Sequence, residues 1–160
     1  MAHPDGQQSD IYARVFAEQI AMIYRLTPHT LAMSVIGSTL ILVALWASAP
    51  HPLLFGWYLL HHVITLCRYR LIRSYRRADP PPAAAPLWAR RFVIGTIAAG
   101  LIWATVGTVL FPPPGSDVQF FIGMYLVGVA ATGMFTLSAY FWAFLPLAGL
   151  TLIPMSLWLL

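Results

Sequence analysis

The amino-acid sequence predicts an all-α protein built as a transmembrane helical bundle, and its composition carries that prediction. Of the 160 residues, 59% are hydrophobic and only 9% are charged, and the mean hydropathy is +0.74. A water-soluble domain needs roughly a quarter of its residues charged to cover its surface. Several apolar runs here also approach the ~20 residues that cross a bilayer as a helix. We therefore expect a polytopic membrane protein.

The arginines predict how the bundle is oriented. The chain has no lysine, and seven of its nine cationic residues lie around one short loop, as a lipid-facing basic cluster made of Arg68, Arg70, Arg73, Arg76, Arg77, Arg90 and Arg91. Short loops that carry such clusters stay on the cytoplasmic side of a membrane. We expect a multi-pass membrane protein with a cytoplasmic N-terminus. Nucleic acid is excluded as a partner, because the arginines flank apolar spans instead of forming a patch on a folded surface.

The chain before the first span divides into two predicted segments. Residues 1–8 are polar, and we expect a disordered tail. Apolar residues then recur at helical spacing over residues 9–29, with charged residues on the other side and Ser9 as the expected N-cap. This segment is too charged to cross a bilayer. It predicts an amphipathic helix at the inner interface.

The transmembrane domain is expected to fill residues 30–160 with five spans. Their predicted bounds are about 30–49, 52–72, 91–111, 118–138 and 140–160. The connector at 79–86 has four prolines, so we expect it to be non-helical. Ser116 or Asp117 is the expected N-cap of the fourth span. With the arginine loop inside, five crossings leave the apolar Leu160 outside, and we expect a sixth span beyond it.

Small residues recur at intervals of four on two of the predicted spans. The sets are Thr96, Gly100, Ala104 and Thr108 on span three, and Gly128, Thr132 and Thr136 on span four. Small side chains at this spacing allow close approach of a neighbouring helix in lipid. A homodimer formed through these stripes is one expectation.

Two adjacent histidines are the most informative polar residues in the predicted spans. His61 and His62 lie near the middle of span two, where ionisable side chains are uncommon and indicate function. They predict polar contacts in a ligand pocket, with Trp103 and Tyr125 as further pocket candidates. The alternatives are axial ligation of a b-type haem by His61 or His62, and a proton-linked or other metal role.

Enzyme signatures are absent from this sequence. It has no GxSxG, HExxH or phosphate-binding GxxxxGK[ST] motif, and its carboxylates fall in predicted tails and loops. We therefore predict no catalytic residue and no metal site. The predicted external connectors are short, so any ligand is expected to bind among the helices.

The order of several short motifs resembles a known class of membrane region. The motifs are IYRLTP at 23–28, WARRF at 88–92, GLIWATVGTVLFP at 100–112 and TLSAY at 136–140. This arrangement is similar to the N-terminal membrane sensor regions of bacterial GGDEF (diguanylate cyclase), EAL and sensor histidine kinase proteins. The resemblance implies about six spans, a homodimer and a cytoplasmic output domain in cis. It also implies a location in the bacterial inner (cytoplasmic) membrane. No output motif lies within residues 1–160.

Two hypotheses follow for the function. The first is a membrane-embedded sensor or anchor module, which couples a lipophilic, small-molecule or membrane signal to a diguanylate cyclase or histidine kinase output domain. The second is a small integral-membrane carrier or b-type haem protein. The lipid bilayer is a partner in both.

Overall fold

The computed structural model describes residues 4–113 and 115–157, and those residues form helices joined by short turns and irregular segments. A short 3-10 turn at Pro82–Ala84 lies between the second and third helices. The α-helices are α1 (Pro4–Ala44), α2 (His51–Ala78), α3 (Ala85–Val106), α4 (Asp117–Leu137) and α5 (Phe141–Leu157).

Helix α1 joins segments that the sequence analysis divides. It runs without a break from Pro4 to Ala44 and passes through Pro28, so residues 4–8 and 9–29 belong to the same helix as the first predicted span. Ser9 therefore lies inside the helix and is not its N-cap. Proline suits the start of a helix because its missing N–H has no intrahelical partner there. Residues 1–3 of the predicted tail lie outside the described residues.

The connector between α2 and α3 corrects a second expectation. Helix α2 ends at Ala78, and Asp79 adopts the left-handed conformation with φ 38°. The following prolines do not leave the segment non-helical, because a 3-10 turn starts at Pro82 and α3 already starts at Ala85. Proline is compatible with a first helical turn, and the alanines after it favour helix.

Helix α4 begins as the sequence predicts. The Ser116 hydroxyl accepts a hydrogen bond from the backbone N–H of Gln119 at 3.1 Å, which confirms Ser116 as the N-cap. Helix α5 starts at Phe141, close to the predicted bound of the fifth span. The last three residues of that span, 158–160, lie outside the described residues.

The five helices pack as a closed ring. Going around it, α1 contacts α2, α2 contacts α3, α3 contacts α5, α5 contacts α4, and α4 returns to α1. The contact between α3 and α5 is the most extensive, and the contact between α4 and α1 is the least. We call the junction of α1 and α4 the α1–α4 seam.

Small residues let α5 lie close to two of its neighbours. A Cβ atom added to Gly100 of α3 would lie 3.0 Å from the carbonyl oxygen of Pro146, and one added to Gly133 of α4 would lie 2.7 Å from a methyl carbon of Leu147. Gly100 of the α3 stripe and Gly133 of α4 therefore serve packing within the chain.

Three helical stretches of the described chain are long and apolar enough to cross a membrane. They are Asp10–Ala44, Pro82–Val106 and Asp117–Leu137, and the apolar stretch Phe141–Ile153 is shorter. Large apolar side chains cover much of the outer surface, for example Phe135 at 81% exposure and Phe120 at 74%. A soluble monomer rarely exposes so much contiguous apolar surface. The protein is therefore a helical membrane protein.

Candidate functional site

One end of the bundle is closed by packed aromatic rings. This end carries the arginine-rich junction of α2 and α3, and we call it the arginine-rich end. Tyr24 stacks on Tyr75 with ring centroids 4.0 Å apart and makes edge contacts with Trp88 and Phe92. The buried Tyr24 hydroxyl donates to the carbonyl oxygen of Trp88 at 3.0 Å. These four residues, the basal cluster, hold α1, α2 and α3 together.

A second aromatic group lies nearer the middle of the bundle. His61 of α2 is buried, and its ring contacts those of Trp57 and Trp103 with centroids 5.8 and 5.2 Å away. Trp103 also contacts Tyr125 of α4 at 5.6 Å. We call Trp57, His61, Trp103 and Tyr125 the histidine cluster. It brings together three of the four pocket candidates that the sequence suggests.

The hydrogen bonds of His61 leave one ring nitrogen without a partner. Its Nε2 lies 2.9 Å from the Ser34 hydroxyl of α1, whereas its Nδ1 is buried and meets no partner among the described residues. An unpaired buried polar atom costs about 1–3 kcal/mol. A site that retains an unpaired buried polar atom despite this cost is a candidate functional site.

The His62 side chain lies outside the histidine cluster. Its Nδ1 donates to the carbonyl oxygen of Tyr58 at 2.8 Å, one turn earlier in the same helix, and the two rings are 4.2 Å apart. The Tyr58 hydroxyl lies 3.1 Å from that of Thr39. His62 thus belongs to the contact between α1 and α2, and the structure does not place it beside Trp103 and Tyr125.

A cavity of about 450 Å³ lies beside the histidine cluster, between α1, α3 and α4. Its wall is formed mainly by apolar and aromatic side chains and includes Trp103 and Tyr125. The complete lining consists of Thr30, Leu31, Met33, Ser34, Arg68, Ala99, Trp103, Phe121, Met124, Tyr125, Gly128, Val129, Thr132 and Leu147. Ser34 joins the cavity to His61, which lies behind the wall.

Two contacts frame the cavity along the α1–α4 seam. The Thr30 and Thr136 hydroxyls meet at 2.9 Å, and farther along the seam the Tyr125 hydroxyl lies directly against Gly37. Only glycine at position 37 leaves room for this hydroxyl. The lining residues Met33 and Met124 are each 61% exposed on the outer surface. The cavity therefore opens toward lipid between the two contacts.

Arg68 lies on the cavity wall, away from the other arginines of the predicted basic cluster. Its guanidinium carbon is 5.8 Å from the centroid of the Phe92 ring, and its stem packs along Gly95. The other six arginines of that cluster are exposed, and Arg91 covers the ring of Trp88 at 4.9 Å. Arg68 is thus partly buried between α2 and α3, apart from the six exposed arginines with which the sequence analysis groups it.

Sequence reasoning missed Ser34, Arg68 and Gly128 as cavity residues. A signal for Arg68 was present, since it follows His61 by seven residues and so lies on the same helical face. Ser34 and Gly128 carry no such signal, because the sequence does not reveal which face of α1 meets which face of α4. Among the described residues no cluster of three metal-ligating side chains occurs.

Comparison with protein-family models, with curated proteins and with solved structures finds no match to this chain. The functional argument therefore starts from the cavity and the residues around it.

Proposed function

We propose that the protein is a membrane-embedded sensor module in which a lipophilic small molecule occupies the cavity. The observation that carries this proposal is the cavity itself, with its mainly apolar wall and its opening toward lipid. Its volume of about 450 Å³ falls within the range of ~300–1,000 Å³ typical of small-molecule pockets. A ligand dissolved in the bilayer reaches it without passing through water.

The α1–α4 seam supports a sensing role. It is the least extensive contact of the ring and is held near the cavity by the Thr30–Thr136 hydrogen bond and the Gly37–Tyr125 contact. A ligand that binds better when the seam is wider shifts the protein toward that state. Binding of a ligand in the cavity then changes the packing of α1 against α4.

Helix α1 offers a route from the seam to the outside of the membrane. Its 41 residues extend about 60 Å, twice the ~30 Å of a hydrocarbon core. Its N-terminal part, including residues 9–29, then lies at or beyond the inner interface. In this proposal α1 and α2 carry the change to a cytoplasmic output domain in cis, a diguanylate cyclase or histidine kinase, within a homodimer of the bacterial inner membrane.

The test uses a photoreactive hydrocarbon and two matched glycine variants in lipid nanodiscs. No described atom lies within 4 Å of a Cβ atom added at Gly128 in the cavity wall or at Gly56 on the outside of α2. Gly128→Leu therefore fills the cavity without a clash at Cβ, and Gly56→Leu controls for the added side chain. Both substitutions also remove a glycine from a helix.

We expect the probe to label the buried Trp103 in the wild type and in Gly56→Leu but not in Gly128→Leu. Phe135, which faces lipid, serves as the internal standard and should be labelled in all three proteins. Mass spectrometry of the peptides gives both results. A wild-type protein labelled at Phe135 but not at Trp103 would refute the proposal.

A b-type haem protein is the second candidate, because the Nδ1 atom of His61 is buried without a partner. The first proposal is better supported, since Nε2 of His61 lies 2.9 Å from the Ser34 hydroxyl and two indole rings already contact the imidazole ring. An absorption spectrum of the protein purified from haem-supplied cells separates the two. A Soret band that disappears in His61→Phe would favour haem.

A further inference from the structure

Among the described residues that line the cavity, Arg68 is the only charged one, and its charge indicates the chemistry of the ligand. The guanidinium carries a permanent positive charge and five N–H donors. Among the described residues, none forms a hydrogen bond or an ion pair with it, and it faces the ring of Phe92. A cation in an apolar membrane environment is costly unless an anion or several acceptors compensate it.

The five carboxylates of the chain are placed elsewhere. Asp79 caps the end of α2, Asp117 begins α4, and the N-terminal half of α1 holds the other three, Asp5, Asp10 and Glu18. The described chain thus provides no acidic side chain at the cavity. We therefore expect the molecule that fills the cavity to supply the negative charge that balances Arg68.

The cavity is polar at one end and apolar at the other. Thr30, Arg68 and Thr132 lie about four to five helical turns from the opposite end of the bundle, so they share a level near the arginine-rich end. Phe121 and Met124 lie only one to two turns inside α4, at the other extreme of the cavity. The cavity therefore suits an elongated molecule with one polar head.

We propose that the ligand is a single-chain amphiphile with a carboxylate, a medium-chain fatty acid, whose head group binds Arg68 and whose tail extends toward Phe121. Two parallel N–H···O bonds match a carboxylate to a guanidinium. The hydroxyl protons of Thr132 and Thr30 at the same level are already engaged, by the carbonyl oxygen of Gly128 and by the Thr136 hydroxyl, so Arg68 supplies the donors. This inference rests on the proposed function, because it names the ligand of the same cavity.

The experiment compares photoreactive dodecanoate with photoreactive dodecanol in phosphatidylcholine nanodiscs that hold the full chain. The two probes share the tail and differ in the charged head. We expect dodecanoate to reach half-maximal labelling of Trp103 at about tenfold lower concentration than dodecanol, since a hydrogen bond to a charged group contributes about that factor.

Arg68→Met should abolish this preference, and Arg68→Lys should retain part of it. Arg70→Met is the matched control, because Arg70 is exposed on the same helix two residues away. It should leave the preference unchanged, which separates a specific contact from general attraction to a basic surface. Circular dichroism confirms that each variant keeps its helical content.

Three results would overturn the inference. They are equal labelling by the two probes, an unchanged preference in Arg68→Met, and loss of dodecanoate labelling when phosphatidylglycerol replaces phosphatidylcholine, which would identify a phospholipid head group as the anion at Arg68. In each case labelling of Trp103 by the neutral hydrocarbon leaves the proposed function standing. Absence of labelling by every probe would overturn both.

Discussion

The basal cluster and the histidine cluster both join three helices through aromatic rings, but they differ in the pairing of their polar atoms and in the space beside them. In the basal cluster Tyr24 is fully buried and its hydroxyl is paired with the carbonyl of Trp88. In the histidine cluster a ring nitrogen of His61 is unpaired, and Tyr125 borders a cavity of about 450 Å³. The first arrangement holds the bundle together, and the second leaves space and polar capacity for another molecule.

The largest expected effect is on the free energy of unfolding, which should fall more when the basal cluster is disrupted than when the histidine cluster is disrupted. Tyr24→Ala removes a fully buried aromatic ring, and such changes cost about 3–5 kcal/mol. Tyr125→Ala removes a half-buried ring beside an existing cavity and should cost about 1–2 kcal/mol, near the average for a point substitution. Thermal unfolding in detergent, followed by circular dichroism, measures both. Equal losses of stability would contradict the distinction between the clusters.

A smaller effect is expected at the hydrogen bond between His61 and Ser34. Hydrogen bonds between membrane helices contribute about 0.6 kcal/mol on average in double-mutant cycles. We expect a coupling free energy of that size between His61→Phe and Ser34→Ala, measured by unfolding in SDS. Zero coupling would mean that the contact at 2.9 Å does not stabilise the junction of α1 and α2.

Much of the fold was predictable because lipid imposes strong rules on sequence. The apolar run predicted at 118–138 locates α4 to within one residue at each end, and the N-cap at Ser116 follows from its side-chain chemistry. Helix α3 begins six residues and ends five residues before the predicted span at 91–111, because the alanine-rich connector joins its first turn. The continuity of α1 was not predictable from the charge pattern. Ile20, Ile23 and Tyr24 are buried against other helices before Pro28, and this tertiary packing is consistent with one unbroken helix.

The candidate site was predictable only in part. His61, Trp103 and Tyr125 were selected as polar or aromatic residues within spans, and the structure brings them into one cluster. The sequence could not separate His61 from His62, because adjacent residues on a helix differ in direction by about 100°. For Arg68 the sequence gives only the helical face that it shares with His61, and placing that face against the cavity requires the rotation of α2 relative to α3.

Spin labels at the two regions test most directly whether the cavity is a sensing site. In a Cys67→Ala background, one pair of cysteines replaces the exposed Val43 of α1 and Phe120 of α4 beyond the cavity. A control pair replaces the exposed Met22 of α1 and Leu87 of α3 near the basal cluster. Pulsed electron resonance then gives the distance distribution of each pair with and without dodecanoate.

We predict that dodecanoate shifts the distribution between the labels at 43 and 120, that Gly128→Leu abolishes this shift, and that the labels at 22 and 87 keep their distance. The proposal that filling the cavity changes the packing of the helices would be contradicted by one result. That result is a distance distribution between the labels at 43 and 120 that stays unchanged under saturating dodecanoate.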